Sequence, residues 1–442
     1  MSPDTAAATP GLRATGSSQL ASATATPALS MRVVLAAIIG NALEFYDFSI
    51  YSYFAVIISR QFFPAATPTA SLLMALATFG VGFFSRPLGS IVLGSYADRV
   101  GRKPALIMTL ALMALGMAIL ALTPPYAVIG VAAPILIVAA RIIQGFALGG
   151  EVGPSTAFLL EAAPRGKRAQ YASWQRASQG ASTLLAGILG VSLAQLLPGG
   201  AMEEWGWRVP FLLGTLIFPV GIYIRRELPE TLAGRKPAEN GVLMTLLAHY
   251  KRPLALAMLL TLSTGVSTYV GNYMTTYALT ALHMPAGLSL GATLVLGLVV
   301  LLIAPVGGRL GDRFGRKPVM IWSRLTYMVV AYPAFLLLNR YPYGPVLLGM
   351  TAVLAFFDTI SIAVGLVLIP ESFPKAVRSA GMSIAYAFAL MISGSTTQLL
   401  LAWIIARTGN PMSAAWFVIL AGFVGLVAMT LSRETRDIDI DD

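Results

Sequence analysis

The sequence predicts an all-α membrane protein with twelve transmembrane helices in two pseudo-symmetric six-helix bundles. Of its 442 residues, 57% are hydrophobic and only 11% are charged, whereas a soluble domain carries about 25% charged residues. A decapeptide also occurs twice, at residues 94–103 and 308–317, and each copy lies between two long apolar runs. Because the two copies are roughly half a chain length apart, the halves are predicted to be related units.

Twelve apolar segments are long enough to cross a bilayer, which needs about 20 residues each. They lie near residues 33–59, 69–97, 104–123, 127–160, 170–196, 208–224, 254–280, 287–307, 318–338, 344–370, 380–406 and 412–432. Segment four is long for one span, so part of it must tilt or protrude.

Polar stretches flank and divide these segments. Residues 1–30 are rich in Ala, Thr, Ser and Pro and lack the basic start and apolar core of a signal peptide, so we expect a disordered cytoplasmic tail. Residues 31–226 should form the first bundle and 253–432 the second. A cytoplasmic linker is expected at 227–252, and a second loose tail at 433–442.

The loops alternate in charge along the chain. One set carries about eighteen Lys and Arg residues, whereas the opposite set carries Arg60, Arg208, Arg340 and Arg407. Since cytoplasmic loops are enriched in Lys and Arg, both termini are predicted to lie in the cytoplasm, in a multi-pass protein of the cell membrane. The net charge of +11 therefore indicates membrane topology and not nucleic-acid binding.

Several function classes are disfavoured by what the sequence lacks. It has no cysteine for thiol chemistry, and its two histidines, His249 and His283, fall in the linker and in an outer loop. No Gly-x-x-x-x-Gly-Lys-Ser/Thr stretch for nucleotide binding is present. We therefore expect neither an enzyme nor an ATP-driven pump, and no metal site or cofactor. We also expect the protein to function as a monomer in the bilayer.

Both decapeptides follow the pattern Gly-x-x-x-Asp-Arg-x-Gly-Arg-Lys and precede a proline, Pro104 or Pro318. This pattern resembles the loop signature of the major facilitator superfamily. The stretch Arg141-Ile-Ile-Gln144-Gly145 in segment four resembles that superfamily's Arg-x-x-Gln-Gly pattern. The resemblance implies the major facilitator fold and a secondary transporter.

Further motifs resemble the metabolite:proton symporter family within this superfamily. They are Gly40-Asn41-Ala42-Leu43-Glu44-Phe45-Tyr46-Asp47-Phe48, Arg86-Pro87-Leu88-Gly89, Gly149-Gly150-Glu151, Glu204-Trp205-Gly206-Trp207-Arg208 and Arg226-Glu227-Leu228-Pro229-Glu230-Thr231. The stretch Ser173-Trp174-Gln175-Arg176-Ala177-Ser178-Gln179 is most similar to citrate and tricarballylate carriers. Two residues depart from that pattern: Arg176 stands where a small residue is expected, and Asp358 interrupts a segment expected to be uncharged.

Ionisable side chains inside a bilayer are costly and face the bundle interior. Asn41, Glu44 and Asp47 share one face of segment one at 100° per residue, and Arg141, Gln144 and Glu151 share one stripe of segment four. A buried carboxylate can exchange a proton near neutral pH, so Glu44, Asp47 and Glu151 are candidates for proton coupling. The alternative is an ion pair that only holds helices together. For Arg141, the resemblance implies a role in coupling or substrate orientation.

Polar residues elsewhere are candidates for substrate contact. Gln175, Arg176 and Gln179 lie within one arc of segment five, where two amides and a guanidinium suit a polycarboxylate. In segment seven, Asn272 lies on a stripe of threonines flanked by Tyr269 and Tyr273, which could equally serve helix packing. With Asn41, Arg141 and Gln144 they complete the expected substrate set. Because the charged candidates concentrate in the first half, we expect the second half to contribute aromatic and hydroxyl groups.

The repeated loops predict a gate. Asp98 and Asp312 lie at helix ends, where they can accept bonds from a neighbouring helix start or from Arg102 and Arg316. Such contacts can hold the cytoplasmic side closed and must break on switching. The alternative is that these arginines only anchor the loops to anionic lipid.

The sequence as a whole favours a proton-coupled importer of a small organic anion, with a tricarboxylate such as citrate or tricarballylate as the leading solute. The same fold with a dicarboxylate, a shikimate-like or aromatic acid, or a betaine is the alternative. A receptor of this fold that binds its ligand without accumulating it is a third possibility.

Overall fold

The computed structural model describes residues 41–42, 45–47, 49–100, 102–150, 156, 159–160, 163–164, 166–216, 219–221, 242–375 and 377–438. Within these residues, helices alternate with short turns, as the apolar pattern predicts. The side chains of Asp98 and Arg102, and the whole of Glu44 and Glu151, lie outside the described set.

The principal helices are labelled α1 to α12 in chain order. They are Ala55–Phe62, Pro68–Val100, Arg102–Leu122, Ala132–Ala147, Arg168–Leu196, Arg208–Thr215, Lys251–Thr280, Ala286–Phe314, Arg316–Arg340, Gly344–Glu371, Arg378–Thr408 and Ser413–Leu431. Short helical turns lie at Tyr126–Ile129, Leu148–Gly150, Met202–Gly206 and Val242–His249. Residues 45–47 and 49–53 are also helical and lead into α1.

Eight of the described helices are long and apolar enough to cross a membrane, and two shorter apolar helices lie at Ile107–Leu122 and Ala132–Ala147. The predicted all-α membrane fold is therefore confirmed. Predicted segment four is not one long helix in its described part, because a break at Gly130 separates the turn Tyr126–Ile129 from α4.

The two halves meet along α5 and α8, which pack backbone against backbone. A methyl group added at Gly187 of α5 would lie 2.6 Å from the Leu294 Cα atom of α8, and one at Gly308 would lie 2.5 Å from the Ala169 carbonyl oxygen. Gly180 and Gly297 make similarly close approaches to the opposite helix. Small residues permit this packing, which needs no interlocking of long side chains.

A second contact between the halves runs along α2 and α11. A methyl group at Gly80 would lie 2.6 Å from the Ser395 carbonyl oxygen, and one at Gly394 would meet the Phe83 ring. Apolar clusters continue across both contacts, since Tyr269 and Leu290 join the first-half core and Leu72 and Leu76 join the second-half core. Together the two contacts frame a space between the halves.

The two ends of the bundle can be told apart by sequence. At one end, here called the decapeptide end, α2 passes into α3 and α8 passes into α9, so both repeated loops lie there. α5 and α11 begin at this end and α10 finishes at it. The opposite end carries the turns between α1 and α2 and between α7 and α8.

Candidate functional site

A cavity lies between the two halves. Its polar and charged lining includes Arg86 of α2, Arg176 and Gln179 of α5, Thr268 and Asn272 of α7, and Asp358 of α10. Both halves therefore contribute to one chamber, as expected for a carrier that binds its solute at the interface of two repeats.

Four of the expected substrate residues line this cavity: Arg176, Gln179, Tyr269 and Asn272. The Arg176 Nη1 atom donates to Gln179 Oε1 at 2.9 Å, one turn further along the same helix, and its Nη2 atom donates to Thr268 Oγ1 at 3.4 Å across the interface. The guanidinium is thus oriented by both halves and borders the cavity.

Aromatic rings form one wall. The Tyr269 ring packs edge-on against Phe79 and Phe83, with centroids 6.1 and 5.3 Å apart. The Arg86 guanidinium carbon lies 4.4 Å from the Phe83 centroid, in a cation–π arrangement. Arg86 therefore adds a second positive charge to the lining.

Asp47, Arg141 and Gln144 form a sealed group beside the cavity, here called the first-half cluster. Gln144 donates to Asp47 Oδ1 at 2.7 Å and accepts from Arg141 Nη1 at 2.7 Å, while Arg141 Nη1 lies 3.8 Å from Asp47 Oδ1. Both charged side chains have 0% exposure, and the Arg141 guanidinium faces the Tyr51 ring at 4.7 Å. Neither Arg141 nor Gln144 lines the cavity.

The amide side chains of Asn41 and Gln175 form hydrogen bonds with neighbouring segments of the first half. Asn41 donates to Ser178 Oγ at 2.7 Å and to the Gln175 carbonyl at 3.1 Å, and Gln175 Oε1 accepts from Thr156 Oγ1 at 2.7 Å. These bonds hold the helices of the first half together, and Asn41 and Gln175 are absent from the cavity lining.

Of the segment-seven candidates Asn272 and Tyr273, only Asn272 lines the cavity. Tyr273 packs in an apolar core with Met274 and Tyr277, outside the cavity lining. Asn272 lines the cavity and accepts from the Tyr53 hydroxyl at 3.3 Å, which links the first and second halves.

Asp358, Arg324 and Arg176 form a second charged group, here called the shared cluster because both halves supply it. Asp358 Oδ1 lies 3.5 Å from Arg324 Nη2 of α9, and Asp358 Oδ2 lies 4.0 Å from Arg176 Nη2 of α5. Arg324 is fully buried and donates to Ser267 Oγ at 2.5 Å. This corrects the expectation that the second half would contribute only aromatic and hydroxyl groups.

Contacts at the second repeated loop join the two halves at the decapeptide end. Asp312 accepts hydrogen bonds from the backbone N–H groups of Ala169 and Gln170, at 3.0 and 2.9 Å, and so caps the start of α5 from the opposite half. Arg316 Nη1 lies 3.2 Å from Asp312 Oδ1, and Arg316 also pairs with Glu371 of α10. Asp312 and Arg316 therefore make the helix-start and ion-pair contacts expected from the sequence, and their role as a gate stays a prediction.

The chain after α12 joins the same contacts. Glu434 accepts the backbone N–H groups of Arg316 and Lys317 at 2.9 Å, and Thr435 donates to Glu371 Oε2 at 2.6 Å. Arg168 of the first half donates to the Ile438 carbonyl at 2.8 Å. The end of the chain is thus attached through residue 438, whereas its acidic composition indicates a loose tail.

Burial raises the pKa of Glu434, but the opposing effect of backbone N–H groups is larger. Arg316, Lys317, Arg436 and Thr435 donate to its carboxylate and hold the pKa below the usual range. Glu434 is therefore ionised at neutral pH, and its negative charge stabilises the N-terminus of α9 through the helix dipole.

Sequence reasoning missed Arg324, Glu371 and Glu434. An arginine inside apolar segment nine is itself a signal, because an intramembrane charge needs a partner and Asp358 is an available acid. The Glu-Thr pair at 434–435 also repeats the Glu-Thr pair at 230–231, a second sign of duplication. Glu371 lies at the very end of a span, where its partner is visible only in the fold.

Comparison with known proteins places these features in a family. The family model described as "Sugar (and other) transporter" matches residues 33–239 and 233–441. A citrate-proton symporter of Klebsiella pneumoniae is 36% identical over 88% of this chain and 88% of that protein. A citrate-proton symporter of Salmonella typhi is 35% identical over 92% and 95%.

More distant matches show the breadth of the family. A proline/betaine transporter of Escherichia coli (strain K12) is 30% identical over 92% of this chain and 84% of that protein. The solved structure of a D-xylose-proton symporter superposes with a TM-score of 0.76 at 18% identity, covering 92% of this chain and 98% of that one. The chain is therefore a multi-pass membrane protein that belongs to the sugar (and other) transporter family.

Proposed function

We propose that this protein is a proton-coupled symporter that imports a small organic anion, a tricarboxylate such as citrate or tricarballylate, by alternating access. The observation that carries the proposal is the identity of 35% to 36% with two citrate-proton symporters over nearly the whole chain. The cavity supports it, because Arg86 and Arg176 both line it. Guanidinium groups can bind the carboxylates of a solute through paired hydrogen bonds.

The first-half cluster is the proposed proton site. Asp47 is buried in one half with Arg141 and Gln144 as its partners, so a proton arriving there changes the internal charge of that half without entering the solute cavity. Glu44 and Glu151, which fall outside the described residues, remain candidates beside it.

The proposed orientation places the decapeptide end in the cytoplasm, since the loops rich in Lys and Arg lie there. Contacts of Asp312 and Arg316 then close the cytoplasmic side and must break for the solute to leave inward. Asp98 and Arg102 are assigned the same role in the first repeat. The carrier is proposed to work as a monomer in the cell membrane with both termini inside.

Transport into proteoliposomes tests this function. Labelled citrate and tricarballylate should accumulate, and external acid or an inside-negative potential should speed their uptake. If uptake responds to neither, the protein is not proton-coupled. If it binds these compounds without accumulating them, it is a receptor.

Zwitterion transport is the second candidate, because proline/betaine transporters share 30% identity over 92% of the chain. A betaine carries one carboxylate and needs fewer guanidinium groups than a tricarboxylate. Competition separates the two: excess unlabelled citrate should block labelled tricarballylate uptake, and excess glycine betaine should not. The reverse pattern would favour the zwitterion.

A further inference from the structure

The shared cluster has a feature that the proposed function does not explain: its ion pairs are loose. Within the described part of the chain, Asp358 Oδ1 accepts no hydrogen bond, and Arg324 Nη2 and Arg176 Nε donate none. The two ion-pair distances are 3.5 and 4.0 Å, longer than the 2.7–2.9 Å typical of a charge-assisted hydrogen bond. The charges attract each other, but the two arginines direct their described hydrogen bonds to Gln179, Thr268 and Ser267 and not to Asp358.

The three members differ in their access to the cavity. Arg176 and Asp358 line it, whereas Arg324 lies behind Asp358 with 0% exposure. A solute can therefore reach Arg176 and Asp358 and not Arg324. Since one carboxylate faces two guanidinium groups, the cluster carries one surplus positive charge, which is costly in a buried site without an anion.

A solute carboxylate suits this position better than Asp358 does. It is free to align with the guanidinium plane and form two parallel hydrogen bonds, whereas Asp358 is fixed to α10 at 4.0 Å from Arg176. If both carboxylates stayed at Arg176, they would repel each other. Asp358 already has Arg324 on its other side, so it retains a counter-charge when Arg176 changes partner.

We propose that Asp358 pairs with Arg176 in the empty carrier and that one carboxylate group of the substrate replaces Asp358 at Arg176 when the substrate binds. Arg176 is then the binding residue of this subsite, and Arg324 is a positioning residue that holds Asp358 after the exchange. Because the Arg176–Asp358 pair joins the two halves, binding also replaces a direct link between them with the solute. This inference rests on the proposed carboxylate substrate.

Calorimetric titration of purified protein in detergent with citrate and with tricarballylate tests the exchange. Asp358→Asn removes the competitor, so the Kd for either compound should fall about tenfold, the size of one relieved like-charge contact. Arg176→Gln should raise the Kd at least about tenfold. In the Arg176→Gln background, Asp358→Asn should produce no gain, because Asp358 acts only through Arg176. A merely structural Asp358 would not give this dependence.

Asp358→Asn leaves Arg324 buried without its acid, which can prevent folding. The double variant Asp358→Asn/Arg324→Gln removes both charges and should also bind more tightly than the unmodified protein. Weaker or unchanged binding by a folded variant that lacks Asp358 and keeps Arg176, or an equal gain with and without Arg176, overturns the exchange. If the unmodified protein binds neither tricarboxylate, the proposed function itself fails; if it binds and Asp358→Asn gives no gain, only this inference fails.

Discussion

The first-half cluster and the shared cluster each place a buried aspartate beside arginine, and they differ in how the charges are held. Asp47 and Arg141 both bond to Gln144 at 2.7 Å, and all three belong to one half. Asp358 lies 3.5 to 4.0 Å from two arginines, one from each half. A cluster within one half keeps its geometry when the halves rock, whereas a cluster between halves must change. We therefore expect the first to govern proton coupling and the second to respond to solute and to switching.

The largest expected loss of uptake follows from removing Arg141, the cation of the first-half cluster. Arg141→Gln removes the ion-pair partner of buried Asp47, and removing one partner of a buried pair costs about 3–5 kcal/mol. Proteoliposome uptake of labelled citrate should fall at least about 100-fold. The matched control is Arg60→Gln, whose exposed pair with Glu203 contributes about 0–1 kcal/mol. Near-normal uptake by inserted Arg141→Gln protein would remove Arg141 from the mechanism.

A second change tests which process the first-half cluster serves. Asp47→Asn cannot exchange a proton, so acid-driven accumulation should fall about tenfold or more while solute counterflow changes less than about threefold. Accumulation and counterflow are measured in the same vesicles. An equal loss of both would show that Asp47 supports the fold or the binding site, and the contrast between the two clusters would not hold.

A smaller effect is expected where a contact between halves is removed outside the cavity. Asp312→Asn weakens the cap on α5, a change of about 0.5–2 kcal/mol, and should favour opening at the decapeptide end. The chain has no cysteine, so Ser173→Cys, buried beside this contact, can report opening by its rate of thiol labelling. We expect labelling to rise about 2- to 30-fold. Glu203→Gln in the same reporter background is the control, and unchanged labelling would argue against a gate.

The smallest effect is expected for a contact within the second half at the same end. The pKa of Glu434 is lowered in the folded protein, so its stabilising contribution is present above the ordinary value of 4.5 and is lost as the pH falls through the folded value. Glu434→Gln should lower the melting temperature at pH 7 by about 1–2 °C, and the difference should shrink below pH 4.5. Uptake should change little; a large loss of uptake would assign Glu434 to the gate between the halves.

The sequence predicted the fold well because apolar length and loop charge depend on local composition. It also placed Asp312 and Arg316, since a repeated motif identifies positions without any coordinates. The substrate set was harder. Helical periodicity predicts that Arg141 and Arg176 both face the interior of the bundle. It does not show that Arg176 reaches the cavity whereas Arg141 packs against Tyr51 and Phe79. The sequence shows Asp358 inside an apolar segment but assigns it no role, because its partners, Arg324 and Arg176, come from helices far apart in the chain.

The glycine contact between α5 and α8 has a consequence for the speed of the cycle. Surfaces without long interdigitating side chains can roll over one another while few rotamers change, so the barrier to reorientation need not include repacking of a core. A bulky side chain at Gly187 or Gly308 would push α5 and α8 apart and hinder their movement past each other. Carriers halted in one orientation for structural work could be obtained in this way, with every group that contacts the solute left intact.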